Sequence, residues 1–169
     1  IMPQTKPIAP APQPAKPKPP APPAEFQEGA IVTMDAAALI RILTDAGSPE
    51  FQKAKACQRI GELAAKEAVP ALAALLGDDH LSVYARYGLE PIADPSADDA
   101  LRAALSKLKG KQLIGVINSL GKRRDAKASP ALAKMIYDPD ADVARASAEA
   151  LGSIGGPSSV KELQAALAK

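Results

Sequence analysis

His80 is the only histidine in the chain and Cys57 its only cysteine, which leaves little from which to build a reactive centre. A zinc site needs three or four closely spaced nitrogen or sulfur ligands, and no His or Cys pair exists to supply them. Two carboxylate pairs remain, Asp78-Asp79 beside His80 and Asp98-Asp99. Both stand where a helix begins, and an aspartate there accepts from the free backbone N–H groups of the first turn, so capping explains them without a cation. The chain contains no nucleophile elbow, no phosphate-cradling glycine loop and no paired-histidine metalloprotease motif. Cys57 lies in an alanine-rich stretch and reads as a small buried hydrophobe. These residues argue against an enzyme and against a resident metal or cofactor.

What does recur at fixed spacing is apolar. Ile60, Leu89, Leu120 and Leu151 follow one another at steps of 29, 31 and 31 residues. Twelve residues after each stands a leucine, Leu72, Leu101, Leu132 and Leu163, and sixteen after each stands Leu76, Leu105, Ile136 or Leu167. A period of this length marks a tandem array. Each unit is one helical hairpin that cannot bury its apolar face alone, so neighbouring units must stack. Composition agrees: 47% of residues are hydrophobic but only 3% aromatic, with no Trp, so the core is alanine and leucine, which suits close helix packing. The fold class expected is all-α, an α-solenoid of about four and a half hairpins.

The positioning elements can be placed along the chain. Residues 1–32 form a Pro/Ala/Lys-rich segment, with ten of the seventeen prolines before Glu25, and proline removes donors and fixes φ. It is expected to be a disordered, polyproline-II-like linker; its PxxP spacings also fit a docking motif, though this composition produces them unavoidably. Such spacers are common just outside a bacterial membrane, which leans the localisation toward an exported or periplasmic protein. The chain starts at Ile1 and reads as processed or as a fragment.

Residues 33–169 form the repeat domain. Ser48 is expected as an N-cap with Pro49 in the first turn, followed by an amphipathic helix whose apolar positions include Phe51, Ala54, Cys57 and Ile60. A helix over 81–92 carries Pro91 inside it and should bend there. Ser96 with Asp99 resembles a capping box, Gly110 hinges the next pair, and Asp138-Pro139 caps the helix after it. The last helix, 158–168, lacks a following partner, so the array is expected to continue past Lys169 or to be covered by another surface.

The pattern Asp140-x-x-Val143-x-x-x-x-Ala148-x-x-Leu151-Gly152-x-Ile154-Gly155, then Val160-x-x-Leu163-x-x-x-Leu167, resembles the HEAT-like repeat of the short type also found in phycobilin lyases. The resemblance covers residues 34–169. It implies a right-handed, armadillo-like α-solenoid whose second helices line a concave face, and a protein-binding or scaffolding role.

Two packing columns are interrupted by charge. Where other units have Cys57, Ile117 and Ala148 the second has Arg86, and where others have Leu63, Ile92 and Ile154 the third has Arg123. A charge in such a column must be paired or must reach water. Either a local twist lets each arginine snorkel, or Arg86 makes an inter-repeat link to Glu90 or to an acid of the next unit. The polar column Gln58, Tyr87, Asn118 and Glu149, with Lys55, Tyr84, Arg86 and Arg145, is the candidate partner-binding concave face. Lys122, Arg123 and Arg124, preceded by Lys107, Lys109 and Lys111, form a candidate basic patch for an acidic partner or phosphates.

Three basic residues and no acid precede Glu25, leaving 18 bases against 19 acids in the rest of the chain. A dedicated nucleic-acid binder would be basic, so no nucleic acid is expected, and no run approaches the ~18 apolar residues of a membrane span. The expected function is a non-catalytic protein-protein interaction or scaffolding module on a Pro-rich stalk, binding a protein or peptide on its concave face. The alternative is a chromophore lyase or chaperone of the phycobilin lyase type, which would want a deep pocket with converging acids and aromatics.

Overall fold

The computed structural model describes residues 28–168; residues 1–27, which hold the proline-rich segment, and Lys169 lie outside the described residues. The helices are α1 (Glu28–Ile31), α2 (Ala36–Thr44), α3 (Glu50–Leu63), α4 (Val69–Ala73), α5 (Ser82–Leu89), α6 (Pro95–Ala104), α7 (Gly110–Lys122), α8 (Ser129–Met135), α9 (Ala141–Ile154) and α10 (Gly156–Leu167), with 3-10 turns at Lys66–Ala68 and Ala126–Ala128. No strand occurs among the described residues, and no helix there is long and apolar enough to cross a membrane. The helical part starts earlier than Thr33, because Ile31 is already buried against the core.

The helices form two layers of an α-solenoid. One layer is α3, α5, α7 and α9, each packed on the next; α2, α4, α6, α8 and α10 cover its other side. The apolar columns fill the space between. Ile60, Leu89, Leu120 and Leu151, and with them Leu72, Leu101 and Leu132, are all fully buried. Leu163 is only partly buried, and Leu167 on α10 is 87% exposed. The small-residue character of the sequence is used directly: a Cβ on Gly88 would come within 2.9 Å of Leu72 Cδ2 and 3.1 Å of the Cys57 carbonyl oxygen, so α5 can approach α3 and α4 only with glycine there.

The helix starts differ in detail from expectation. Ser48 is buried and does not cap α3; Pro49 occupies the N-cap position without a side-chain bond. Asp94, not Ser96, caps α6, accepting from Ser96 N at 2.9 Å, with Pro95 at the first position. Asp99 is drawn instead to Arg102. Asp140 caps α9, while Asp138 accepts from Asp140 N one step earlier. In both Asp cases an aspartate two residues from the expected cap accepts from the first-turn N–H groups, which satisfies the same orphan donors.

The helix ends explain Arg123. After α3 and after α7 the chain turns through a left-handed residue, Ala64 at φ 49° and Arg124 at φ 53°. The N–H groups of Ala65 and Asp125 then bond back to the carbonyls of Ile60 and Leu120, a six-to-one closure of the Schellman kind. The unit between them has no left-handed residue; Pro91 has no N–H to continue the helix, and Ile92 N bonds back to Leu89 O at 3.1 Å. So α5 does not run through Pro91 with a bend: it stops at Leu89, with Glu90 as its C-cap. Around that turn Arg123 Nη1 of the next unit donates to Leu89 O (3.2 Å), Glu90 O (2.9 Å) and Ile92 O. The same guanidinium forms a two-pronged pair with Asp98, at 2.7 Å through Nε and 3.0 Å through Nη2. The Arg123 side chain is 9% exposed and that of Asp98 22%.

Arg123→Met is expected to lower the unfolding free energy by about 3 kcal/mol, the cost of stranding a largely buried partner, read as a shift in the urea midpoint. Lys122→Met, one residue away and exposed, should change it by less than about 0.5 kcal/mol; equal effects would refute the capping role. Ala64→Gly should act oppositely, raising stability by about 1 kcal/mol by relieving a left-handed alanine, with a higher thermal midpoint as the readout.

Candidate functional site

Helical spacing places Gln58, Tyr87, Asn118 and Glu149 on α3, α5, α7 and α9 in turn, and all four are exposed. They lie on the side of their layer away from the buried columns, because each sits two residues before a fully buried Ile or Leu. Two open grooves run along this face. The first, about 430 Å³, lies between α3 and α5 and is lined by Phe51, Lys55, Gln58, Leu81 and Tyr84, with Glu50 and His80 at its edge. The second, about 620 Å³, lies across α5, α7 and α9 and brings together Arg86, Tyr87, Asn118, Lys122, Arg124 and Glu149. Tyr84 and Tyr87 stand one helical turn apart on α5 and join the two.

Three of the expected site residues change role. Arg123 is not part of a surface basic patch, since its guanidinium is consumed by the α5 carbonyls and Asp98. Arg145 lines neither groove and pairs with Asp142 within α9, both exposed. Arg86 does link adjacent units, but not through Glu90 or another acid: its Nη1 donates to the Gly115 carbonyl at 3.2 Å. A Cβ on Gly115 would lie 2.5 Å from Arg86 Nε, so the guanidinium rests on the bare backbone of α7. The buried Nε finds no acceptor there. Arg86 Cζ lies 6.0 Å from the Tyr87 ring centre, and Lys122 Nζ 5.9 Å from it, at the outer range of cation–π attraction. Glu90 takes a different pair of partners, Ser119 Oγ at 2.8 Å and Lys122 Nζ at 3.7 Å.

Phe51 was expected in the core, since it falls in the apolar rhythm of α3, yet it is 61% exposed in the first groove. It stands one turn before Lys55 and two before Gln58, both exposed, so the helical spacing turns it to the open side of α3. The hydroxyl-bearing Ser153 of the second groove carried no signal in the sequence.

The titratable groups around the face act structurally. Asp78 Oδ1 accepts from His80 N at 2.9 Å and Leu81 N at 2.8 Å, and these bonds hold its carboxyl below the usual range. Asp79 accepts from Gln112 Nε2 of the next unit at 2.9 Å. Asp94 is likewise lowered, by Ser96. Burial pushes the Cys57 thiol up to about 12, so it is inert as a nucleophile at neutral pH. Arg102 reaches from α6 to Asp99 and to the buried Asp125, whose Oδ2 lies 2.7 Å from Arg102 Nε; that contact is an ion pair set off the line of a hydrogen bond. Among the described residues no group of three His, Cys, Asp or Glu is placed to hold a metal ion.

A family model described as HEAT repeats matches residues 99–169. Over that stretch the chain is similar to HEAT repeats. The match begins inside α6 and takes in α7 to α10, the part of the HEAT-like array whose columns are most regular. The units before it keep the buried positions Ile60 and Leu89 but carry the departures at Arg86, Glu90 and Pro91. No curated protein matches the chain.

His80 Nδ1 lies 2.8 Å from Glu50 Oε1 at the edge of the first groove, and the bond and charge of Glu50 raise its pKa above the ordinary 6.5. A raised value in the fold means that the pair contributes fully below the unfolded-state pKa and fades as pH rises through the folded one. A titration followed by the imidazole proton resonances should therefore give a midpoint above 6.5, falling back in Glu50→Gln. An unchanged midpoint in that variant would show the contact is absent in solution.

Proposed function

We propose that the chain is a non-catalytic protein-interaction module that takes its partner across the face of α3, α5, α7 and α9. HEAT repeats generally mediate protein-protein interaction, and repeat arrays present one continuous surface because each unit repeats the same exposed positions. The observation that carries the reading is the junction at α5. Exposed Tyr87 and partly buried Tyr84 bridge two grooves, with exposed Phe51 on one side and Lys122 and Arg124 on the other. Aromatic and arginine side chains grouped in this way are the residue types that dominate binding energy at interfaces. The phycobilin-lyase alternative gains nothing from these grooves. They are open, and neither brings more than two aromatic rings together with its acid.

The test is affinity capture from a lysate of the source cells, with the native array and a Tyr84→Ala/Tyr87→Ala variant as baits. Both should melt within a few degrees of each other, while the variant loses the retained protein by about tenfold or more, the scale of a central aromatic pair. Equal capture by both baits would place the partner on another face.

A further inference from the structure

The two grooves differ in chemistry, and the difference specifies what crosses them. The first is lined on its floor by the apolar side chains of Phe51, Leu81 and Tyr84. The second gathers cations whose charge is mostly unspent. Lys122 is 60% exposed and only loosely paired, at 3.7 Å from Glu90; Arg124 is exposed in the same groove. Arg124 is held outward by its left-handed backbone at φ 53°, which turns the chain away from α7 immediately after Arg123 has been drawn inward. Resting on the reading of this face as a protein interface, we infer that its ligand is an extended protein segment carrying an apolar side chain for the first groove and an acidic pair for the second.

The spacing between these two features follows from helix packing. Phe51 is on α3 and Lys122 on α7, two helices along the layer, and Phe51 stands nine residues before Ile60 whereas Lys122 stands two after the equivalent Leu120. Neighbouring helices pack about 10 Å apart and eleven residues rise about 16 Å along a helix, so the two side chains are separated by roughly 26 Å, which an extended chain crosses in about eight residues at ~3.3 Å each. A polyphosphate backbone fits the second groove poorly. Glu149 stands in it beside the cations, Glu90 partly neutralises Lys122, and the chain beyond residue 24 has one more acid than bases, whereas nucleic-acid affinity grows with the number of phosphates neutralised. A segment with two carboxylates matches two available cations.

The experiment uses fluorescein-labelled synthetic peptides and fluorescence anisotropy with the full chain. The probe peptide carries one Phe and one Glu-Glu pair separated by about eight Gly/Ser residues; its controls replace Glu-Glu by Gln-Gln, or shorten the spacer to a single residue. The probe should bind about tenfold more tightly than either control, and about 0.5 M salt, where screening shortens to a few Å, should abolish most of that preference. Lys122→Gln and Arg124→Gly should each weaken the probe at least threefold. Arg124→Gly should do so while melting higher than the native chain, because glycine relieves the left-handed backbone, which separates lost recognition from lost folding. Equal affinity for the Glu and Gln peptides, indifference to both substitutions, no binding of any peptide, or tighter binding of a single-stranded oligonucleotide of matched length would each overturn the inference. The broader reading fails on a different result, retention of the captured partner by the Tyr84→Ala/Tyr87→Ala bait.

Discussion

The guanidinium of Arg123 holds the array together at its weakest joint. Every unit of a solenoid must end its inner helix and turn back, and each ending leaves carbonyl oxygens that need donors. Two units meet that need locally, with a left-handed residue and a six-to-one bond. The unit ending at Leu89 has no such residue: Pro91 cannot continue the helix, and Ile92 N closes only Leu89 O. The carbonyls of Leu89, Glu90 and Ile92 all accept in addition from one side chain of the next unit. A cation is the right donor for that place, since the C-terminus of a helix carries partial negative charge. Asp98 completes the arrangement by neutralising the guanidinium on its other edge, and so ties α5, α6 and α7 into one joint.

This arrangement also shapes the surface. In a helix that is ending, successive residues point in widely different directions, so drawing Arg123 into the joint leaves its neighbours facing out. Lys122 projects over the Tyr87 ring. Arg124 is pushed outward by the turn that follows. A local run of three bases thus divides into one structural cation and two surface ones, and the proposed binding face gains its charge as a by-product of closing the array. The Arg86 contact works in a similar way: its guanidinium lies on Gly115 and joins two units through a backbone carbonyl, while its edge still lines the second groove.

Much of the fold was legible because burial is periodic. Ile60, Leu89, Leu120 and Leu151 recur at nearly constant steps, and all four are fully buried. Helix starts were legible only to within one or two residues. Around Asp94-Pro95-Ser96 and Asp138-Pro139-Asp140 several side chains can reach the same N–H groups, and sequence spacing does not say which arrives. Phe51 shows the opposite limit: it is apolar, but its register with Lys55 and Gln58 puts it on the open side of α3, and residue type alone does not say so.

The candidate face was legible in outline for the same periodic reason, since Gln58, Tyr87, Asn118 and Glu149 share one column. The partners of its charges were not. Arg86 and Arg123 were marked as anomalies of the columns, and the natural search was for acids within reach. Arg123 does find an acid, Asp98, but both arginines also take main-chain carbonyls of neighbouring units, and those acceptors carry no sequence signature. They become visible only through what makes them available: a glycine at 115 that clears space over α7, and a proline at 91 that ends α5 early. An arginine in an apolar column is thus best sought against the Gly and Pro of the units beside it. Read that way, Arg123 and Pro91 are two halves of one substitution in the repeat, and the same unit's Glu90, standing where the others have Gly61, Gly121 and Gly152, turns its carboxylate to Ser119 and Lys122 and becomes part of the edge of the groove.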